Sequence, residues 1–358
     1  MNRRVLVTGH TGFKGSWLVF WLQKMGAEVC GYALAPPNEP SHWSLLTMDV
    51  RSEIADIRDA DNLKKVFTSF QPEIVFHLAA QPLVRLSYEN PDETFETNVI
   101  GTVRLLDACR ACDSVRAIVN VTSDKCYENR EWVWGYREND PMGGYDPYSA
   151  SKGCAELVAN AYRRSFFNSE TYGITHQILL ANCRAGNVVG GGDWADDRLI
   201  PDIIRSIDKN QIVNIRNPHA TRPWQHVLEP LSGYLQIGQK LFEKKSNFSE
   251  PWNFGPGDEG ALCVEEVVKY IQKFWPRVRY QLGNEKTSHE AGLLSLDISK
   301  ARQLLKWIPV WSASECFHHT VNWYRNYYEQ AQLKTDTDLT CYIEDAIKKD
   351  VVWAKNYN

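Results

Sequence analysis

Apolar runs of strand length alternate with segments of helical period from the first residues onward. RVLVTG leads into a stretch that sets Leu18, Trp21, Leu22 and Met25 on one helical face, followed by AEVCGYAL, a pattern that predicts a βαβ unit. Further strand-like runs stand at Ile74 to Ala79 (IVFHLA), Ala117 to Thr122 (AIVNVT) and His176 to Ala181 (HQILLA), separated by helix-length segments such as DETFETNVIGTVRLLDACRA. Strands that are apolar throughout, rather than alternating, belong to a parallel sheet covered on both faces. The fold class is therefore α/β, a doubly wound parallel sheet. After about Gly186 the rhythm breaks into Gly- and Asp-rich loops (GNVVGGGDWADD), with shorter helices expected at Leu231 to Phe242 and Val264 to Phe274. Residues 1–185 are expected to form a nucleotide-binding domain and 186–358 mainly a smaller C-terminal substrate-binding lobe, with some of that chain returning to the first domain. A late helix at Cys316 to Tyr328 precedes a polar tail to Asn358 to which the pattern assigns no role.

Composition narrows the function classes. A chain of 358 residues that is 43% hydrophobic can bury a sizeable core, and 13 Trp with 16 Tyr argue against disorder. The net charge of −4, with both signs interspersed, leaves no electrostatic footprint for nucleic acid or an anionic membrane. MNRRVLVTG enters a strand directly, and no apolar run is long enough to span a bilayer; a cytoplasmic location is expected. Nine scattered cysteines fit reduced, buried thiols better than a disulfide framework. Cys109 and Cys112 form a CxxC inside a helical stretch with no second pair and no histidine cluster, so they read as packing and no metal site is expected.

The first strand ends in Gly9-His10-Thr11-Gly12-Phe13-Lys14-Gly15. Three glycines between a strand and a helix serve a tight turn, close approach of backbone N–H groups to a pyrophosphate, and close packing of helix on strand. This context points to dinucleotide binding on a Rossmann fold, with Thr11 and Phe13 in the same turn. Val29 to Pro37 carries neither an acid for a ribose nor an arginine for a 2′-phosphate, which leaves NAD and NADP both open on physical grounds. Asp56, followed by Ile57, falls where a third strand should end and is placed to accept a hydrogen bond from an adenine amine.

Tyr148 and Lys152 are four residues apart, so on a helix they share a face one turn apart. A lysine cation beside a phenol favours the phenolate, which makes it a usable base near neutral pH. The helix follows a strand ending Val121-Thr122-Ser123-Asp124, which brings a hydroxyl and a carboxylate to the carboxyl edge of the sheet, where ligands bind in such folds.

With these motifs in place the chain resembles the extended short-chain dehydrogenase/reductase family from its start to about residue 330. The matching segments are GHTGFKG, His77-Leu78-Ala79-Ala80, Thr97-Asn98-Val99, Thr122-Ser123-Asp124 and YSASK. The resemblance implies NAD as cofactor, with Leu78, Ala79, Ala80 and Thr97 joining the turn in holding it. It also implies that Tyr148 and Lys152 bind the nicotinamide ribose and drive hydride transfer at a sugar carbon, with Ser123 as the supporting hydroxyl. The family's 4,6-dehydratases carry an Asp-Glu pair where this chain reads Asp124-Lys125, whereas its epimerases have small uncharged residues there. Asp124 thus favours dehydration, as a general acid kept protonated by burial. Lys125 departs from the pattern and is either an amine base at the sugar C5 or an electrostatic stabiliser of the enolate.

The longer segments TSDKCYEN, PMGGYDPYSASKGCAE and RAGNVVGGGDWADDRLIPD resemble the 4,6-dehydratase branch that acts on CDP-D-glucose, and imply that substrate in the supply of deoxy sugars for lipopolysaccharide O-antigen. For the nucleotide end the resemblance gives Arg222 a pyrophosphate contact and Asn187 and Arg198 supporting ones. Arg216 begins the same loop as Arg222, and His289 falls in a stretch where the family usually carries an arginine. The alternatives are a sugar-nucleotide 4-epimerase, a dehydratase for another nucleoside diphosphate glucose, or a non-catalytic NAD-binding protein. The resemblance also implies a homodimer built on two helices of each subunit, one of them the Tyr148 helix, with a tetramer as the other option.

Overall fold

The computed structural model describes residues 2–215, 218–257, 261–283 and 293–356. Seven strands form the central sheet: β1 (Arg4–Thr8), β2 (Glu28–Ala33), β3 (Arg51–Ile54), β4 (Ile74–His77), β5 (Ala117–Val121), β6 (Leu179–Ala185) and β7 (Pro251–Phe254), in the order β7-β6-β5-β4-β1-β2-β3. Every neighbouring pair is parallel. Successive side chains of a strand point to opposite faces, so each apolar strand feeds two cores. Val5, Val7, Val119 and Val121 enter one layer, while Leu6, Ile118 and Leu180 enter the other.

The first layer is covered by α1 (Phe13–Lys24) and, from later in the chain, by helices of the C-terminal half. The second is covered by α2 (Ala60–Phe70), α3 (Gly101–Arg110) and α4 (Pro147–Ser165). Helix α4 begins cleanly because Pro147 takes its first position and the Asp146 side chain accepts the Ser149 N–H. The order of strands reverses between β1 and β4, the kind of switch point at which loops diverge and ligands bind in such sheets.

Residues beyond 186 contribute α5 (Leu199–Asp208), α6 (Leu228–Phe242), α7 (Val264–Phe274), α8 (Ala313–Gln330) and α9 (Thr335–Lys348). Strand β7 lies at the edge of the main sheet and α6 packs on the first layer. Among the described residues this half also holds three short strand pairs, one of them Thr221–Pro223 antiparallel to Ala261–Cys263.

Several boundaries differ from the sequence expectation. The strand placed at 176–181 instead runs Leu179–Ala185, because the chain before it closes a turn in which Gly173 N–H donates to the His176 carbonyl and pairing with β5 starts only at Leu179. The stretch 91–110 is a short helix Pro91–Phe95, a π turn Glu96–Ile100 and then α3. Helix α6 starts three residues earlier than expected, at Leu228, and α8 extends beyond 316–328 in both directions. The polar tail contains α9, whose Leu339, Tyr342 and Ala346 enter the main core. Its first residue is bolted to the start of the chain: His42 lies between Ser16 of α1 (2.8 Å) and Thr335 (2.9 Å), and the Trp323 indole donates to the same Thr335 hydroxyl at 3.0 Å. Cys109 and Cys112 are buried in the second layer. Among the described residues no helix is long and apolar enough to cross a membrane.

Candidate active site

The glycine turn is fixed by its neighbours. Gly9 has φ +75°, its N–H donates to the Tyr32 carbonyl, and a Cβ on it would lie 2.8 Å from the Ala79 nitrogen. A Cβ on Gly15 would lie 2.0 Å from the Gly9 carbonyl oxygen, so these two glycines answer to packing within the protein. Gly12 is different: its φ of −77° suits any residue and a Cβ would meet only the Gly9 oxygen, at 3.4 Å. Its bare backbone leaves a cradle at the N-terminus of α1 where a Cβ would intrude on a bound diphosphate, and the turn therefore fits a dinucleotide.

Thr8 joins the turn to β4, since its hydroxyl lies 2.7 Å from His77 Nδ1 and accepts the N–H groups of Leu78 and Ala79. Ala80 continues that loop, and the Asn98 side chain holds Gln81 through its N–H and carbonyl while donating to Ser151 of α4 at 2.8 Å. Asn98 is thus the connector that sequence reading passed over in favour of its neighbour Thr97, which is half-buried in the π turn. Thr11 donates to the Leu34 carbonyl, and Phe13 packs against the first core layer. Asp56 stands just beyond β3, but its carboxylate is engaged by Arg58 through the guanidinium and the backbone N–H. Ile57 is buried against Gly101.

Beyond β5 the chain brings Ser123, Asp124 and Tyr148 together. The Tyr148 phenol is hydrogen-bonded with the Ser123 hydroxyl, which donates to Asp124 Oδ1 at 2.9 Å. Asp124 is buried, seated where a Cβ on Gly186 would come within 3.0 Å of both its carboxylate and Pro223. Burial pushes its carboxyl above the usual range, against the pull of Lys125, the Ser123 hydrogen bond, Lys14 and Arg222. This favours the protonated form a general acid needs. Lys125 is half-buried on the 3₁₀ turn Asp124–Cys126, with its N–H on the Ser123 hydroxyl.

The phenolate expected from the Tyr148–Lys152 spacing does not form in the ligand-free chain. Burial drives the phenol up to about 12, outweighing the Ser123 hydrogen bond and the Arg198 charge. Burial also pulls Lys152 down to about 8. The same dry surroundings that would strengthen a charge-charge contact penalise both charged forms.

One turn beyond Lys152, Glu156 forms the floor of the site. It accepts from Thr122 and Asn182 and pairs with Arg184 at 2.8 Å, with both side chains 3% exposed. Sequence reading missed it, although the spacing 148, 152, 156 carries the helical signal.

From the second lobe, Arg198 reaches Asp193 at 2.8 Å and its charge acts on Tyr148, while buried Arg222 donates to the Thr221 carbonyl and faces Asp124. The Asn187 carbonyl accepts Gln225 N–H, beside the Gly186 wall. Arg216 and His289 lie outside the described residues. Lys14, in the glycine turn, also acts on Asp124, and no part of the sequence reading assigned it a role.

Residues 6–320 match the family model described as GDP-mannose 4,6 dehydratase. A CDP-glucose 4,6-dehydratase of Salmonella typhimurium is 57% identical over 90% of this chain and 91% of its own. A UDP-glucose 4-epimerase of Mycolicibacterium smegmatis is 35% identical over 90% and 99%. In structure, MoeE5 in complex with UDP-glucuronic acid and NAD superposes with a TM-score of 0.74 at 26% identity, covering 90% of this chain and 99% of that one. The chain belongs to the GDP-mannose 4,6-dehydratase family, within the extended short-chain dehydrogenases/reductases.

Proposed function

We propose that the chain is a CDP-D-glucose 4,6-dehydratase, an NAD-dependent hydro-lyase that oxidises C4, removes water across C5 and C6 and reduces C6 to give CDP-4-dehydro-6-deoxy-D-glucose. The observation that carries the reading is Asp124, a buried and uncommonly basic carboxyl joined to Tyr148 through Ser123 at the sheet's carboxyl edge. An epimerase has no use for an acid there, whereas loss of the C6 hydroxyl requires one. The 57% identical relative supports the same reaction and the same nucleotide.

The glycine turn, with Gly12 as its bare cradle, and the loop at Leu78, Ala79 and Ala80 hold NAD. When bound, NAD supplies the hydride acceptor for C4 and the donor for C6, and so is regenerated in each turnover. Tyr148 takes the proton of the C4 hydroxyl as a phenolate, a form absent from the ligand-free chain that the Ser123 hydrogen bond and the Arg198 and Lys152 cations favour in the loaded site. Lys125 either takes the C5 proton, made acidic by the neighbouring ketone, or steadies the enolate by its charge, and Asp124 gives its proton to the leaving C6 hydroxyl. Arg198 and Arg222 meet the substrate diphosphate, with Asn187, Arg216 and His289 completing that end. We propose division at about residue 186, assembly as a homodimer or tetramer, and a cytoplasmic role in the supply of deoxy sugars for surface polysaccharide.

Incubation of the purified chain with NAD and CDP-, dTDP-, UDP- or GDP-glucose tests the reading. It expects a 4-keto-6-deoxy product, seen by its alkaline absorbance, from the CDP sugar foremost. Tyr148→Phe should lower that rate by about 10²–10⁴-fold with the fold intact. A C4 epimer formed without loss of water would overturn the dehydratase assignment.

A further inference from the structure

Ser123, Asp124 and Lys125 stand on the turn that leaves β5, whereas Tyr148 and Lys152 stand on α4. The two sets must be held to within about 0.5 Å of their working geometry, and a displacement of about 1 Å can cost about 10²-fold in rate. The chain from Cys126 to Pro147 is a long loop, so the covalent path does not set that spacing.

Two contacts do. At the exit of the turn, α4 approaches at a bare glycine: a Cβ on Gly153 would lie 3.3 Å from the Cys126 carbonyl oxygen, which accepts the Gly143 N–H at 2.9 Å. At the entry stands buried Thr122. Its N–H donates to the Cys183 carbonyl of β6 at 2.9 Å, so the sheet fixes its backbone, and its hydroxyl donates to Glu156 of α4 at 2.5 Å.

Glu156 is a firm receiver. One carboxylate oxygen accepts from Thr122 and Arg184 Nε, the other from Asn182 and a second Arg184 nitrogen. Asn182 and Arg184 belong to β6 and hold α4 to the sheet without engaging the turn. Of the three donating residues, Thr122 alone adjoins Ser123, whose hydroxyl donates to Asp124 and accepts the Lys125 N–H. Glu156 follows Lys152 by one helical turn and Tyr148 by about two. The hydroxyl of Thr122 therefore couples the helix that carries one set of reacting groups to the turn that carries the other.

We propose that Thr122 is a positioning residue for the reaction: its hydroxyl, latched on Glu156, sets the turn bearing Ser123 and Asp124 at a fixed spacing from Tyr148 and Lys152. The inference rests on the part given above to Tyr148, oxidation at C4, which a dehydratase and an epimerase share.

The test compares Thr122→Val and Thr122→Ser with the parent chain, each with NAD and CDP-glucose, well below the unfolding temperature. Thr122→Val leaves Glu156 with Arg184 and Asn182, so the fold should hold. Its kcat should fall about tenfold with KM for CDP-glucose within about twofold, and reduced cofactor should appear about tenfold more slowly in single turnovers. Tyr148 is faced by Ser123 and Asp124 from the turn, Arg198 from the second lobe and Asp146 from the start of its own helix. A loosened turn withdraws the Ser123 hydrogen bond, so the acid limb of kcat should move upward by about half a pH unit. Thr122→Ser keeps the hydroxyl and should stay within about twofold of the parent in rate, with its limb unmoved. A Thr122→Val chain with the parent's rate and limb would overturn the proposal. Equal losses in the two variants would do so as well, because the methyl group rather than the hydroxyl would then matter. If Thr122→Val does not fold, Thr122→Ala carries the same comparison against Thr122→Ser. A parent chain that forms a C4 epimer sinks the dehydratase reading and leaves this comparison standing on the epimer's rate.

Discussion

Two buried glutamates, Glu156 behind the reaction site and Glu229 beneath the C-terminal helix, meet the same desolvation with opposite results. Burial pushes both carboxyls up, but at Glu156 the Arg184 charge and hydrogen bonds from Arg184, Thr122 and Asn182 win, and its pKa falls below the ordinary value. Among the described residues Glu229 has only neutral donors in contact, the N–H groups of Val310 and Trp311 and the Tyr342 hydroxyl at 2.8 Å, with Lys349 acting by its charge alone. Its carboxyl rises to about 7. The difference teaches that a full counter-charge, rather than the number of hydrogen bonds, decides whether a buried acid stays ionised. The floor of the reaction site is thereby insulated from neutral pH, and the clamp on α9 is not.

The largest effect should come from removing the counter-charge. Arg184→Met leaves Glu156 buried and unpaired, and should destabilise the fold by about 3–5 kcal/mol in urea unfolding. A loss under 1 kcal/mol would mean that the neutral donors suffice and the contrast is empty. Next comes pH. With Glu229 at about 7 in the folded chain and near 4.5 unfolded, the folded state binds its proton more tightly. Stability from this group is therefore complete below pH 4.5, declines as pH rises to 7 and is flat above, a change of about 3 kcal/mol. The parent and Glu229→Gln should differ by this slope between pH 4.5 and 7, and parallel curves would refute it. Glu156 contributes in the other sense, its stability being present above the unfolded value and lost as acid titrates it. The smallest effect is Tyr342→Phe, which removes one donor from Glu229 and should cost about 1 kcal/mol at pH 5, where that carboxyl is protonated.

Much of the sheet was legible because strands such as β1 and β5 are largely apolar on both faces, whereas β3 (RSEI) is polar and exposed and carried no such signal; the glycine turn was legible because Gly9 and Gly15 are forced by backbone approach within a contiguous motif. Tyr148 and Lys152 were readable from helical spacing, but their protonation was not, since it depends on how dry the assembled pocket is. Gly186 and Arg222 meet Asp124 only through tertiary folding. Asn98 and Glu156 lay within recognised segments yet act through partners 53 and 28 residues away, Ser151 and Arg184. Helix α9 was missed because few of its residues are buried and its surface positions are charged.

The bolt through His42 has a consequence for the order of assembly. Ser16, in the helix that follows the glycine turn, and Thr335 share that imidazole, although His42 and Thr335 are 293 residues apart. While a ribosome is still translating, the earliest part of the chain can collapse into strands and helices, but its brace has not yet been made. The brace between α1 and α9 can therefore close only after α9 has emerged.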